Sequence, residues 1–165
     1  MSVAIVRGAR REDVPRIWEM LLTFARYERV EHEVTGSAER LAAGLFDAPP
    51  RVEGLVAELD GGLIGYALFY PTYSSFWTAP MMWLEDLYVE ERHRGSGAGR
   101  ALLTAVARLA IARGCRRMGW VVLDWNAPTI RFYERMGAQP TGRGLLQYGF
   151  DHGGLEALTG TSSKT

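Results

Sequence analysis

The sequence predicts one α+β domain built on a mixed, mostly antiparallel β-sheet. Three observations carry this expectation. Two strand-like runs are joined by Asp60, Gly61 and Gly62, residues that tolerate the positive φ angles of a tight hairpin. An amphipathic stretch at 97–113 places Leu102, Leu103, Val106, Leu109 and Ala110 on one helical face, with Gly114 as its stop. The chain around and beyond it alternates strand-like and helix-like segments in the order β-α-β-α-β, after mostly antiparallel strands. A chain of 165 residues buries one good core and is short for two. No linker or repeat divides it, so a single domain is expected over 1–158, with a polar, frayed tail at 159–165.

Taken in order, VAIVR at 3–7 is short and β-branched, as a strand requires. RREDVPRIWEMLLTFARY then changes to helical spacing, with Val14, Ile17, Trp18, Leu21, Leu22 and Ala25 in one stripe. Asp13 is its expected N-cap, and Pro15 falls in the first turn, where a missing N–H costs nothing. A shorter helix is expected from Ser37 to Phe46, before the breaker pair Pro49 and Pro50. The hairpin strands are Glu53–Leu59 and Leu63–Tyr70; PTYSSFWTAP reads as an aromatic, irregular loop, and MMWLEDLYV as the next strand. After the 97–113 helix, MGWVVLDW has the apolar content of a buried strand. NAPTIRFYERMGA is a short helix entered through Asn126, with Pro128 in its first turn and Gly137 as its stop. A last strand is expected at Leu146–Phe150.

Nineteen basic side chains balance nineteen acidic ones, which removes the broad electrostatic case for a nucleic-acid or acidic-membrane partner; neither is expected. The single cysteine, Cys115, excludes an intramolecular disulfide and reads as a half-buried thiol. No stretch approaches a membrane span, and the N-terminus turns charged before a signal-like apolar region develops, so a cytoplasmic location is expected.

The chemistry concentrates in HRGSGAGR, where Gly95, Gly97 and Gly99 alternate with Ser96 and Ala98 between a strand end and a helix start. Small residues there let backbone N–H groups point outward together with the positive end of the helix dipole, and Arg94 and Arg100 add charge-assisted donors. Such a turn wraps an anion, most simply a phosphate; from the glycines alone, a loop that needs glycine for its own conformation is an equal reading. A nucleotide P-loop would need Lys and Ser or Thr after the last glycine, where Arg100 and Ala101 stand. A dinucleotide fold would need GxGxxG, and the run here is GxGxG.

Arg94, Gly97 and Gly99 match the R/Q-x-x-G-x-G/A signature of the Gcn5-related N-acetyltransferase (GNAT) superfamily. With LEDLYV before it, WNAPTIRFYERMGA after it and ARYERVEHEV earlier, the chain resembles the diamine (spermidine/spermine-type) acetyltransferase branch over nearly its whole length. The resemblance implies a three-layer α/β/α arrangement, acetyl-CoA as co-substrate, no metal, and a homodimer. It places the pantetheine arm beside the backbone of Leu87, Tyr88 and Val89 and the pyrophosphate on backbone groups from Arg94 to Arg100. It also makes Asn126 a ligand of the cofactor arm, Tyr133 the general acid for the departing thiolate, and Arg135 a phosphate contact.

Adjacent strand residues face opposite sides of a sheet, so at most one of Glu85 and Asp86 is expected to point at the amine; the resemblance selects Glu85 as the base, acting through a water. Glu28, Glu31, Glu33, Glu85 and Asp86 are the expected substrate carboxylates, with Trp83 and Trp77 offering ring faces to an alkylammonium. Two positions depart from the diamine pattern. Ser74 and Arg143 stand where that branch has acidic residues, and an arginine there favours an amine that also carries a carboxylate, such as a lysine or thialysine analogue. Three readings stay open: a small-molecule amine acetyltransferase, a protein N-terminal or lysine acetyltransferase, and a coenzyme A-binding sensor without turnover.

Overall fold

The computed structural model describes residues 3–141 and 150–159. The chain divides into two compact units, Met1–Ile130 and Arg131–Thr165. In the first, β1 (Ile5–Gly8) runs antiparallel to β2 (Glu53–Leu59), from Ile5 opposite Glu58 to Gly8 opposite Leu55. Asp60 and Gly61, with φ of 51° and 80°, form the two-residue turn into β3 (Gly62–Ser74); positive φ at both positions gives the turn the twist of the strands it joins. β4 (Ala79–Val89) pairs antiparallel with β3, and β5 (Met118–Gly119) pairs parallel with β4, giving the sheet order β1-β2-β3-β4-β5.

The segment expected as an irregular loop is a hairpin. The ladder runs to Ser74 opposite Ala79, and Ser74 Oγ accepts the Trp77 N–H at 3.3 Å across the tip. Proline lacks the N–H a ladder uses, yet Pro71 and Pro80 both sit in register, opposite Met82 and Tyr73. MGWVVLDW shows the opposite error: only Met118 and Gly119 are strand, while Val121 and Val122 are 71% and 36% exposed. Apolar content alone does not keep a segment in a sheet whose neighbour turns away, and β4 carries a bulge just past its last paired residue, Trp83.

One face of the sheet is covered by α1 (Val14–Glu28) and α2 (Ala38–Phe46), whose Val14, Ile17, Met20 and Leu45 form one buried cluster with Val56, Tyr66, Leu68 and Tyr88. Ser37, expected as the first residue of that helix, is its N-cap, accepting the Arg40 N–H at 3.2 Å. The alternate residues Ala57, Ala67, Phe69 and Leu84 are buried on the other face, where α3 (Ala98–Ala112) packs across the strands with Leu102, Leu103, Val106 and Ala110 inward. The result is the expected three layers.

Asp13 does not cap α1. It lies in a short 3-10 turn, Arg11–Asp13, where its carboxylate accepts the Arg10 N–H at 2.7 Å and N–H groups of the two terminal Arg7 guanidinium nitrogens at 2.7 and 3.0 Å. The arginine on β1 offers a charged bidentate partner, which outcompetes a single backbone amide. That guanidinium holds the Asp13 carboxyl below the usual range.

Asn126 caps α4 (Ala127–Arg135), accepting the Thr129 N–H at 3.3 Å, and the chain leaves the helix through Gly137 at φ +87°. α5 (His152–Thr159) has no counterpart in the sequence reading, because Gly153 and Gly154 disguise its first turn; Asp151 Oδ1 accepts the Gly154 N–H at 2.7 Å and starts it. Thr159 therefore ends a helix and does not open the tail. The expected strand Leu146–Phe150, apart from Phe150, lies outside the described residues, as do Arg143 and the tail beyond Thr159. Among the described residues no helix is long and apolar enough to cross a membrane.

Candidate active site

The turn between β4 and α3 has the conformation its glycines imply. Gly95 and Gly97 adopt φ of +82° and +90°, the left-handed region that a side chain resists, and a Cβ at either position would meet no atom within 4 Å. The space over the turn is therefore clear. α3 opens with Ala101 N–H bonding Gly97 O at 2.9 Å, so the amides of Gly97, Ala98, Gly99 and Arg100 precede the first intrahelical bond and converge at the positive end of the helix. The expected run of donors from Arg94 to Arg100 is narrower than that. Arg94 N–H, Ser96 N–H and Ala98 N–H are engaged within the turn, bonding Glu91 O at 3.1 Å, His93 O at 3.3 Å and Ser96 Oγ at 3.4 Å. Arg100 lines an open groove with Gly97 and Arg108, between α3 and the segment at 4–6.

Beside the turn, β4 presents an open edge. Its described ladder with β5 is confined to Met82 with Met118 and Trp83 with Gly119, preceded by Arg116 N–H bonding Pro80 O at 2.9 Å, and among the described residues 84–89 have no ladder on that side. Leu87, Tyr88 and Val89, the residues expected to meet a cofactor arm, lie on that edge. An extended group with amide hydrogen-bonding capacity would complete the ladder as a short extra strand.

The bulge overturns one expectation. Leu68 is opposite Asp86 while Phe69 is opposite Leu84, so Glu85 is the additional residue and the alternation of faces breaks there. Tyr66 and Tyr70 share one face of β3, and each donates to one of the two carboxylates: Tyr66 to Asp86 at 3.3 Å, Tyr70 to Glu85 at 2.9 Å. Glu85 and Asp86 thus point to the same side, the α1 side. Trp83 Nε1 also donates to Glu85 Oε2, at 3.0 Å, which fixes that carboxylate from two directions.

Burial, then the charges of Glu85 and Glu28, push the Asp86 carboxyl up to about 7 against the Tyr66 hydrogen bond. Burial also raises Glu28, the last residue of α1. Tyr70 is pushed up to about 12 by burial and by its bond to Glu85. The structure therefore brings Glu28, Glu85, Asp86 and Trp83 together and leaves Glu31 and Glu33 out, exposed on a 3-10 turn. Trp77 is already engaged, with the Arg116 and Arg117 guanidinium carbons 5.6 and 4.9 Å from its ring centroid.

The sequence profile of the acetyltransferase (GNAT) family matches residues 15–138. A thialysine N-epsilon-acetyltransferase from Mus musculus is 35% identical over 97% of this chain and 99% of its own length. The chain belongs to the acetyltransferase (GNAT) family. It is an acetyl-transfer enzyme. An L-ornithine N5-acetyltransferase from Arabidopsis thaliana is 30% identical over 81% of this chain and 78% of its own. Among solved structures, an integron cassette protein from V. cholerae superposes with a TM-score of 0.77 at 23% identity, covering 94% of this chain and 97% of that one, which speaks for the fold alone.

The GNAT family uses acetyl-CoA as co-substrate, and the residues present fit it. The glycine turn offers clear space and convergent amides for a diphosphate, and the free edge of β4 offers a ladder to the amide-bearing arm. Asn126, buried to 1% exposure, has its Oδ1 occupied by Thr129 N–H and by Tyr27 O–H at 3.0 Å. Tyr27 is a contact of the candidate site that sequence reading missed, because a tyrosine in the last turn of an amphipathic helix carries no signal of a partner 99 positions away. In the second unit Tyr133 is buried, its ring edge-on to Phe132 at 5.2 Å, and Arg135 is exposed in the last turn of α4.

Proposed function

We propose that this GNAT enzyme acetylates the primary amine of a small cationic molecule, either a diamine or an amino acid with a terminal side-chain amine of the lysine or thialysine kind. The bulge at Glu85 carries the reading: it turns two successive carboxylates to one side of the open edge of β4, with Glu28 near. Clustered carboxylates at a half-buried site are what an alkylammonium needs to leave water. The relatives' names, thialysine and L-ornithine acetyltransferases, support a small amine over a peptide.

Acetyl-CoA supplies the acetyl group in activated form as a thioester. The amides of Gly97, Gly99 and Arg100 hold its diphosphate, with Arg94, Gly95, Ser96 and Ala98 around them, and the backbone at 87–89 holds its arm, with Asn126 as a further ligand. Glu85, held by Tyr70 and Trp83, anchors the incoming ammonium. Asp86 takes its proton at Oδ1 or Oδ2, because a carboxyl pushed up to about 7 exchanges protons near neutrality. This moves the base from Glu85, where the resemblance puts it, to its neighbour. Tyr133 is the proton source on the leaving-group side, and Arg135 a phosphate contact. The reading includes a cytoplasmic location and a homodimer, the latter supported by the exposed aromatics Tyr73 and Phe76 at the β3–β4 tip.

Following free thiol released from acetyl-CoA, with a panel of diamines, polyamines, amino acids, aminoglycosides and peptides, tests the proposal. Turnover is expected with diamines or lysine-like amino acids. Acetylation confined to peptides, or thermal stabilisation by acetyl-CoA with no turnover on any amine, would overturn it.

A further inference from the structure

The last turn of α1 joins the two halves of the proposed cofactor site through one side chain. Tyr27 donates its hydroxyl to Asn126 Oδ1 at 3.0 Å, its ring lies 4.8 Å from the Arg94 guanidinium carbon, and its ring centroid is 6.1 Å from that of Trp125. We infer that Tyr27 is a positioning residue for acetyl-CoA binding, holding the Asn126 amide with its NH2 group turned away from the helix cap and the Arg94 guanidinium beside the glycine turn.

The polarity follows from donor and acceptor chemistry. A backbone N–H only donates, so the Asn126 atom facing Thr129 N–H is the amide oxygen, and the Tyr27 hydroxyl, sharing that oxygen, is a donor too. Two donors fill the oxygen's two lone pairs. What Asn126 has left to offer a ligand is its NH2 group, which suits a carbonyl of the cofactor arm and suits an amide N–H poorly. Without the Tyr27 hydroxyl, the amide keeps only the 3.3 Å cap bond and gains freedom to rotate.

The ring acts separately. A guanidinium stacked over an aromatic face keeps its N–H edges in the plane, free for bidentate contact with phosphate oxygens. Arg94 is held at that distance with Nε directed to Val89 O at 3.4 Å, at the end of the open strand edge. One residue of α1 thus sets a donor for the arm and a cation for the diphosphate.

This rests on the reading of Asn126 and Arg94 as cofactor ligands, and the test separates the two. Tyr27→Phe keeps the ring, so packing and Arg94 stacking persist while the hydroxyl is lost. Calorimetric titration should show acetyl-CoA binding weakened about fivefold, the loss of one hydrogen bond, with the amine KM unchanged. Asn126→Asp keeps the oxygen for Thr129 and Tyr27 but removes the NH2 group; it should weaken acetyl-CoA more, and adding Tyr27→Phe to it should cause no further loss. Tyr27→Leu, which also removes the ring, should weaken binding beyond Tyr27→Phe and reduce its dependence on salt. If Asn126→Asp weakens binding while Tyr27→Phe does not, or if the two losses multiply, the role of Tyr27 is overturned and that of Asn126 stands. If Asn126→Asp leaves acetyl-CoA affinity intact, the assignment of Asn126 fails and the inference with it.

Discussion

Glu85 and Asp86 are neighbours in sequence with different surroundings, and the difference assigns their roles. Glu85 is exposed and doubly hydrogen-bonded, whereas Asp86 is shielded and crowded by like charge. Glu85→Gln should raise the amine KM about tenfold and leave the pH profile in place, the loss of one charge-assisted contact. Asp86→Asn should lower kcat about 100-fold and remove the limb near pH 7 from the profile of kcat/KM. The same substitution should stabilise the fold. Asp86 is raised from 3.8 to about 7, so the folded state favours the protonated carboxyl; its contribution is full below 3.8 and lost as pH rises through 7. The melting temperature of Asp86→Asn should therefore exceed that of the parent by more at pH 8 than at pH 4. Asp13 behaves oppositely: lowered by Arg7, it stabilises above 3.8 and loses that contribution as pH falls through its depressed folded value. Asp13→Asn should cost about 1–2 kcal/mol at pH 7, by denaturant melts, and less in acid.

At the scale of elements, α3 offers an internal comparison. Gly97 and Gly114 lie at its two ends, with φ of +90° and +69°, and a Cβ at either would meet nothing within 4 Å. Alanine at each should cost about 1 kcal/mol of backbone strain. Only Gly97→Ala places a methyl group over the proposed diphosphate site, so it should weaken acetyl-CoA at least tenfold in titrations where Gly114→Ala changes nothing. Both ends of this helix were legible in the sequence because glycine in a left-handed position is a local requirement. The β3–β4 tip was not, since Pro71 and Pro80 break helices and interior strands yet sit here in register near the end of a hairpin. Nor was the Glu85 bulge, because a bulge is set by the partner strand's register and leaves no mark on its own residues.

Across the whole molecule, the order of most elements and the glycine turn could be read from periodicity and spacing, and the three layers from the family resemblance, but the site's cross-links could not. Tyr27 with Asn126, Tyr70 with Glu85 and Tyr66 with Asp86 are tyrosine contacts made only when distant elements pack, and each tyrosine alone looks like core. The central claim is that acetyl-CoA occupies the free edge of β4 and the amides that open α3. Amide hydrogen exchange over the entire chain, with and without acetyl-CoA, tests it most directly. The account predicts added protection concentrated at 84–89 and 95–100, with β1 and β2 unchanged. Saturation with acetyl-CoA that leaves both segments exchanging as before would contradict it.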